Sequence, residues 1–187
     1  GRLAFWLPGG FMAVQGLWAA RWMNVIEHMD RATIAARLTW ISGAMLAGFL
    51  FMGFFATGLV RRGVRLENVY LVAMLAAIAG LASLALFPTR GGDLLWPLLG
   101  VCFSLSNTAY ALVAQGFPPG LSGRVNTALN LLVFAGAFGL QWGLGILVDL
   151  LQSAGWPAEI AYRTAFLALL AGQATAFVWL LASRKRN

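Results

Sequence analysis

Six apolar stretches, at 3–23, 34–60, 66–87, 94–117, 125–151 and 161–182, fill almost the whole of this 187-residue chain. A bilayer core about 30 Å thick takes about 20 residues of helix at ~1.5 Å rise each. Every stretch meets that length, and the short gaps between them hold most of the charge. The expected fold is therefore an all-α integral membrane protein, one compact six-helix bundle whose first partner is the lipid bilayer. Composition agrees: 60% of residues are hydrophobic and 10% charged, against about a quarter charged in soluble domains. The net charge of +7 does not point to nucleic acid, because the basic residues are scattered at the ends of the stretches and form no basic face. A single cysteine, Cys102, excludes an intramolecular disulfide and a cysteine-based zinc site. No cofactor or metal is expected.

Charge sets the expected orientation. Six spans put both termini on one side, together with Arg2, Arg61, Arg62, Arg65, Arg124, Arg184, Lys185 and Arg186. The other side carries Arg31, Arg37, Arg90 and Arg163 with Glu27, Asp30, Asp93, Asp149 and Glu159. The excess of basic residues predicts that the termini lie in the cytoplasm of a multi-pass cell (inner) membrane protein. Gly91-Gly92, Pro118-Pro119 and Gly155-Trp156-Pro157 mark loops between helices.

Small residues recur inside the spans: Gly43, Gly48, Gly53 and Gly58 in the second, and Gly136, Gly139, Gly143 and Gly145 in the fifth. Gly139 and Gly143 have the small-xxx-small spacing that lets helix backbones approach in lipid. Gly136, Gly139 and Gly143 are expected to pack helices, and a static scaffold and a rocking transporter both use such contacts.

Polar residues inside a span are costly and are functional candidates. Ser104, Asn107, Thr108, Ala111 and Gln115 fall on one helical face of the fourth span, flanked by Tyr110. They line a pathway or bond to a neighbouring helix. Asn126, Asn130, Phe134, Ala137 and Gln141 repeat the pattern in the fifth. Gln141 lies deepest and offers two donors and an acceptor to a solute, whereas Asn126 and Asn130 lie near the cytoplasmic end as caps or a gate. In the first span Gln15 and Trp18 share a face. Arg21 lies about 27 Å along the helix from Leu3. There it either snorkels to the outer interface or pairs with an anionic substrate through its planar fork.

Three segments resemble the major facilitator superfamily of transporters. Gln15-Gly16-Leu17-Trp18-Ala19-Ala20-Arg21-Trp22 is similar to the Q-G-L-W-A-G-P-W stretch of the family's helix seven. After the second span, Gly53, Ala56, Arg61 and Arg62 match positions of the family's G-x-L-A-D-R-x-G-R-R loop, with Thr57 in place of the aspartate. The run from Pro118 to Asn130, which contains Arg124, Asn126 and Asn130, resembles the junction of helices ten and eleven. The resemblance covers nearly the whole chain and implies the C-terminal half, helices seven to twelve, of a twelve-helix transporter. It also implies an N-terminal six-helix half upstream, a small-molecule solute bound between the halves, and alternating access. The chain begins Gly1-Arg2 without methionine, as expected either of a fragment of a longer protein or of a chain whose start was trimmed. The missing aspartate puts the loop's usual charge relay in doubt.

Two other functions were weighed. Gly120-Leu121-Ser122-Gly123 matches the G-x-S-G string of intramembrane proteases, but a serine nucleophile needs a base. The lone histidine, His28, is expected on the opposite side of the membrane, so the chain is not expected to be an enzyme. A stand-alone six-helix protein, working as a homodimeric transporter, a channel or a scaffold, is the alternative.

Overall fold

The computed structural model describes residues 2–87 and 92–184. Arg90, Gly91, Lys185, Arg186 and the side chain of Arg2 lie outside the described residues. Among the described residues, six helices are long and apolar enough to cross a membrane: Leu3–Val25, Arg31–Arg61, Leu66–Leu86, Gly92–Ala114, Pro119–Ser153 and Ala158–Arg184. They overlap all six apolar stretches. Most run further, because a helix continues through polar residues that cap it: Asp30 precedes the second and accepts the Ala32 N–H at 3.1 Å. The Thr33 hydroxyl also donates to Asp30 and, as the largest cause, holds its carboxyl below the ordinary range.

Two of the six are broken. The first consists of α1 (Arg2–Trp6), α2 (Pro8–Ala13), a π-helical turn (Val14–Trp18) and α3 (Ala19–Val25). Pro8, which lacks an N–H, marks the first interruption. The second, third, fifth and sixth are α4 (Arg31–Arg61), α5 (Leu66–Leu86), α8 (Ser122–Ser153) and α9 (Ala158–Arg184). The fourth divides into α6 (Gly92–Ser106) and α7 (Thr108–Ala114), with Asn107 between them. The expected continuous polar stripe on the fourth span is therefore interrupted at its centre.

α6 lies between α4 and α5, α2 packs on α8, and α9 packs on α5 and α8. The core between them is aromatic and aliphatic, with Trp22, Trp96, Phe166, Met74, Leu81 and Leu169 buried. The Trp22 and Phe166 rings sit 4.3 Å apart. Elsewhere, two glycines bring the backbones of the first and fifth helices together. A Cβ on Gly9 would stand 2.9 Å from the Val133 carbonyl oxygen, and one on Gly136 would run into the Phe5 backbone. On the other side of the bundle, a Cβ on Gly100 would stand 2.8 Å from the Ile41 carbonyl oxygen, and one on Gly48 would strike Ser104. Gly139 touches only the Phe5 ring, and Gly43, Gly53, Gly58 and Gly143 face open space in this chain. Gly136 thus pairs with Gly9 across the first and fifth helices.

α4 is the least enclosed helix, burying only Ile34, Ile41 and Gly48. Trp40 and Phe54 on α4, and Phe138 and Trp142 on α8, are 66–78% exposed. Both helices carry exposed aromatic side chains.

Gly136→Ala should lower thermal stability in detergent by about 1–3 kcal/mol, the cost of overpacking a tight contact. Gly43→Ala should be neutral or stabilising by up to ~1 kcal/mol, since it gains helix propensity without a clash. Equal loss in both variants, read by fluorescence-detected size-exclusion after heating, would contradict the backbone contact.

Candidate functional site

The π-helical turn inserts an extra residue into the first helix, and such turns occur often at functional sites. It places Gln15 half-buried and Gly16 and Leu17 exposed. The Gln15 amide nitrogen contacts the Met45 sulfur on α4. A Cβ on Gly16 would stand 3.1 Å from the Gln141 amide nitrogen on α8, so that side chain lies over the bare backbone of the turn. Three helices therefore meet at the turn, with Gln15 turned toward α4 and the Gln141 amide on the α8 side. Amides of this kind donate and accept hydrogen bonds but carry no charge, and suit a neutral polar solute.

The other residues expected at a site are dispersed. Trp18 is buried against Tyr162, with ring centroids 5.6 Å apart, and its indole N–H has no protein partner. Arg21 is exposed near the end of α3, one turn before Val25. Ser104 is buried in the α4–α6 contact beside Gly48, donating to the Val101 carbonyl at 2.7 Å. The Asn107 amide donates back to the Phe103 carbonyl at 3.2 Å, at the break in the fourth helix. Tyr110 donates to the Asn130 side-chain oxygen at 2.9 Å and links α7 to α8. Asn126, four residues before Asn130, has a buried side-chain oxygen without a protein partner. Arg61, Arg62 and Arg124 are exposed at the end of the bundle that carries the termini, and Gly53 is exposed on α4. Gln15 and Gln141 stand at neighbouring positions of the π-helical turn, one turned to α4 and one reaching from α8, and Tyr110 and Asn130 form a direct pair.

Two buried polar groups escaped the sequence reading. Glu27, just beyond α3, is 7% exposed at its side chain. It accepts from Arg37 of α4 at 2.9 Å and from the Trp96 indole of α6 at 3.0 Å. Arg37 also pairs with Asp93. This network clamps the first, second and fourth helices at the end away from the termini. Its sequence signal was an acid and an arginine ten residues apart across a short loop. The second group is Gln173, fully buried near the middle of α9. Its amide donates to the Trp6 carbonyl at 3.3 Å, beside Gly10, and its oxygen has no protein partner. A polar residue deep in the sixth span was the signal there.

At the same end as the Glu27 clamp, exposed His28 meets Glu159 at 3.4 Å. Ser122 opens α8 at the other end and donates to the Pro119 carbonyl at 2.8 Å. No family model, curated protein or solved structure matches this chain.

Removing one member of a buried ion pair leaves an uncompensated charge, at a cost of about 3–5 kcal/mol. Arg37→Met should therefore destabilise the protein by roughly that amount, and adding Glu27→Gln should restore most of the loss. Additive losses in a double-mutant cycle of thermal unfolding would show that the two side chains do not depend on each other.

Proposed function

We propose that this chain is the C-terminal half of a secondary transporter that moves a small polar solute across a cell membrane by alternating access. The observation that carries the reading is the π-helical turn, where Gln15 contacts α4 and the Gln141 amide of α8 lies against Gly16. A solute held there would lie between this bundle and a second one packed against α4 and α8. The exposed aromatics of those helices are what a partner bundle would cover. Major facilitator transporters place the substrate at such an interface between two six-helix units. The segments that resemble that family include the π-helical turn itself.

In this reading the Glu27–Arg37–Trp96 clamp holds three helices together at the outer end while the halves rock. The exposed Arg61 and Arg62 turn makes contacts on the cytoplasmic side with the other half. The neutral amide lining favours an uncharged or zwitterionic organic solute. Arg21, exposed near the outer end, extends the range to organic anions. The excess of arginine at the terminal end supports cytoplasmic termini. A homodimer of six-helix units is the second reading, favoured by the same exposed aromatics of α4 and α8, since a second copy would cover them as well as an upstream half.

Screening a panel of polar organic solutes for uptake into cells expressing the intact protein should identify a substrate. Gln141→Leu should then cut its uptake at least tenfold, about 1.4 kcal/mol or more, with normal membrane insertion. Asn107→Leu should impair uptake through the break in the fourth helix. Unchanged uptake kinetics in both variants would remove the site.

A further inference from the structure

Away from the π-helical turn, a cavity of about 360 Å³ lies inside the bundle at the end that carries the termini. It sits between α1, α5, α7, α8 and α9, walled by residues such as Leu3, Leu71, Ala109, Leu129 and Val133. That volume is in the range of ligand pockets, about 300–1,000 Å³. Its polar groups are largely taken. Ser106 donates to the Phe103 carbonyl at 2.6 Å, Tyr110 donates to Asn130 at 2.9 Å, and Glu67 accepts from Arg184 at 2.7 Å and Arg65 at 3.1 Å. A cavity lined this way gives water few partners and favours an apolar guest.

The cavity does not stop at Glu67. A second space of about 490 Å³ shares Glu67 and Leu112 with it and is walled by Gly63, Val64, Arg65 and Gln115. The character changes across that shared wall from hydrocarbon to cationic. Arg61, Arg62 and Arg65 lie within one short turn, and Arg184 reaches Glu67 from α9. Two guanidiniums, Arg65 and Arg184, thus pair with one carboxylate, Arg61 and Arg62 stand exposed in the same loop, and the other five acids all lie toward the opposite end of the bundle. The Arg65 side chain is 72% exposed and gives one nitrogen to Glu67, which leaves guanidinium donors for another anion.

We propose that the cavity and the cleft together form a site for one anionic phospholipid, with an acyl chain in the cavity and the phosphate beside Arg65. The inference rests on the reading that the bundle lies in a bilayer, and is independent of which solute it moves. A phosphate suits arginine because the planar fork donates two parallel hydrogen bonds. Basic clusters next to a membrane helix attract anionic headgroups. The apolar volume next to the cluster is what distinguishes this place from a surface that merely attracts charge. Lipid held there would wedge α7 against α5 and α8, next to the Tyr110–Asn130 bond.

The test uses the intact protein in nanodiscs of phosphatidylglycerol and phosphatidylcholine, one of them carrying a diazirine in its acyl chain. After illumination, mass spectrometry should find cross-links on segments that hold Leu71, Tyr110 and Leu129, stronger with phosphatidylglycerol. Ala109→Trp should fill the cavity and abolish those cross-links. Arg65→Gln should lower the preference for phosphatidylglycerol about fivefold, the effect of one basic residue at a membrane surface. Cross-links confined to outward residues such as Val72 and Val178, or equal cavity labelling by both lipids, would overturn the proposal. The wild-type map stands even if a variant fails to fold. Alkaline extraction of native membranes separates the two failures. Release of the protein would sink the bilayer reading itself, whereas retention with an unlabelled cavity would sink only the lipid site.

Discussion

The backbone approach of the first and fifth helices at Gly9 and Gly136 is the contact on which the rest of the arrangement depends. With Phe5 and Val133 carbonyls at the van der Waals limit, no larger residue fits without moving a helix. That closeness sets the depth at which the π-helical turn meets α8. Gln141 lies five residues beyond Gly136, and Gly16 seven beyond Gly9, so the amide of one helix falls on the bare backbone of the other. The glycine contact between α4 and α6 at Gly48 and Gly100 does the same on the other flank, bringing Met45 within reach of Gln15. Two tight contacts thus flank the π-helical turn.

Charge has a different job at each end of the bundle. Away from the termini, the buried Glu27 carboxylate collects Arg37 and Trp96 and ties three helices. Arg163 reaches the exposed end of α5 and donates to the Ala85 carbonyl at 3.1 Å, where a cation meets the negative end of the helix dipole. At the terminal end, Glu67 gathers Arg65 and Arg184, joining the start of α5 to the end of α9. The surplus of arginine beyond these pairs, at Arg61, Arg62 and Arg124, is exposed.

Much of this fold is legible in the sequence, because a helix that must hide its backbone from lipid announces itself by length and apolarity. The six spans and their order needed nothing more. The π-helical turn and the interruption at Asn107 were not legible, since neither changes composition, whereas the first break is marked in the sequence by Pro8. The candidate site was partly readable. Gln15 and Gln141 stood out as polar residues in apolar runs, but their placement on either side of the π-helical turn depends on a relative rotation of helices that no single-helix pattern encodes. For the same reason the Gly139–Gly143 spacing suggested a contact, while Gly9, within a short run after a proline, forms the tighter one. Ser104 and Trp18 were readable as unusual residues in a span, yet their helices turn them into the core.

The claim that matters most is that Gln141 faces a water-accessible pathway and not lipid. Thiol accessibility tests it directly. In the intact protein with Cys102→Ala, Gln141→Cys should react with a membrane-impermeant maleimide, and saturating solute should slow that reaction. A cysteine replacing Val178, exposed on α9, should react only with a lipid-soluble reagent. If Gln141→Cys behaves as Val178→Cys does, the amides face lipid or a dry interface, and the transport reading loses its site.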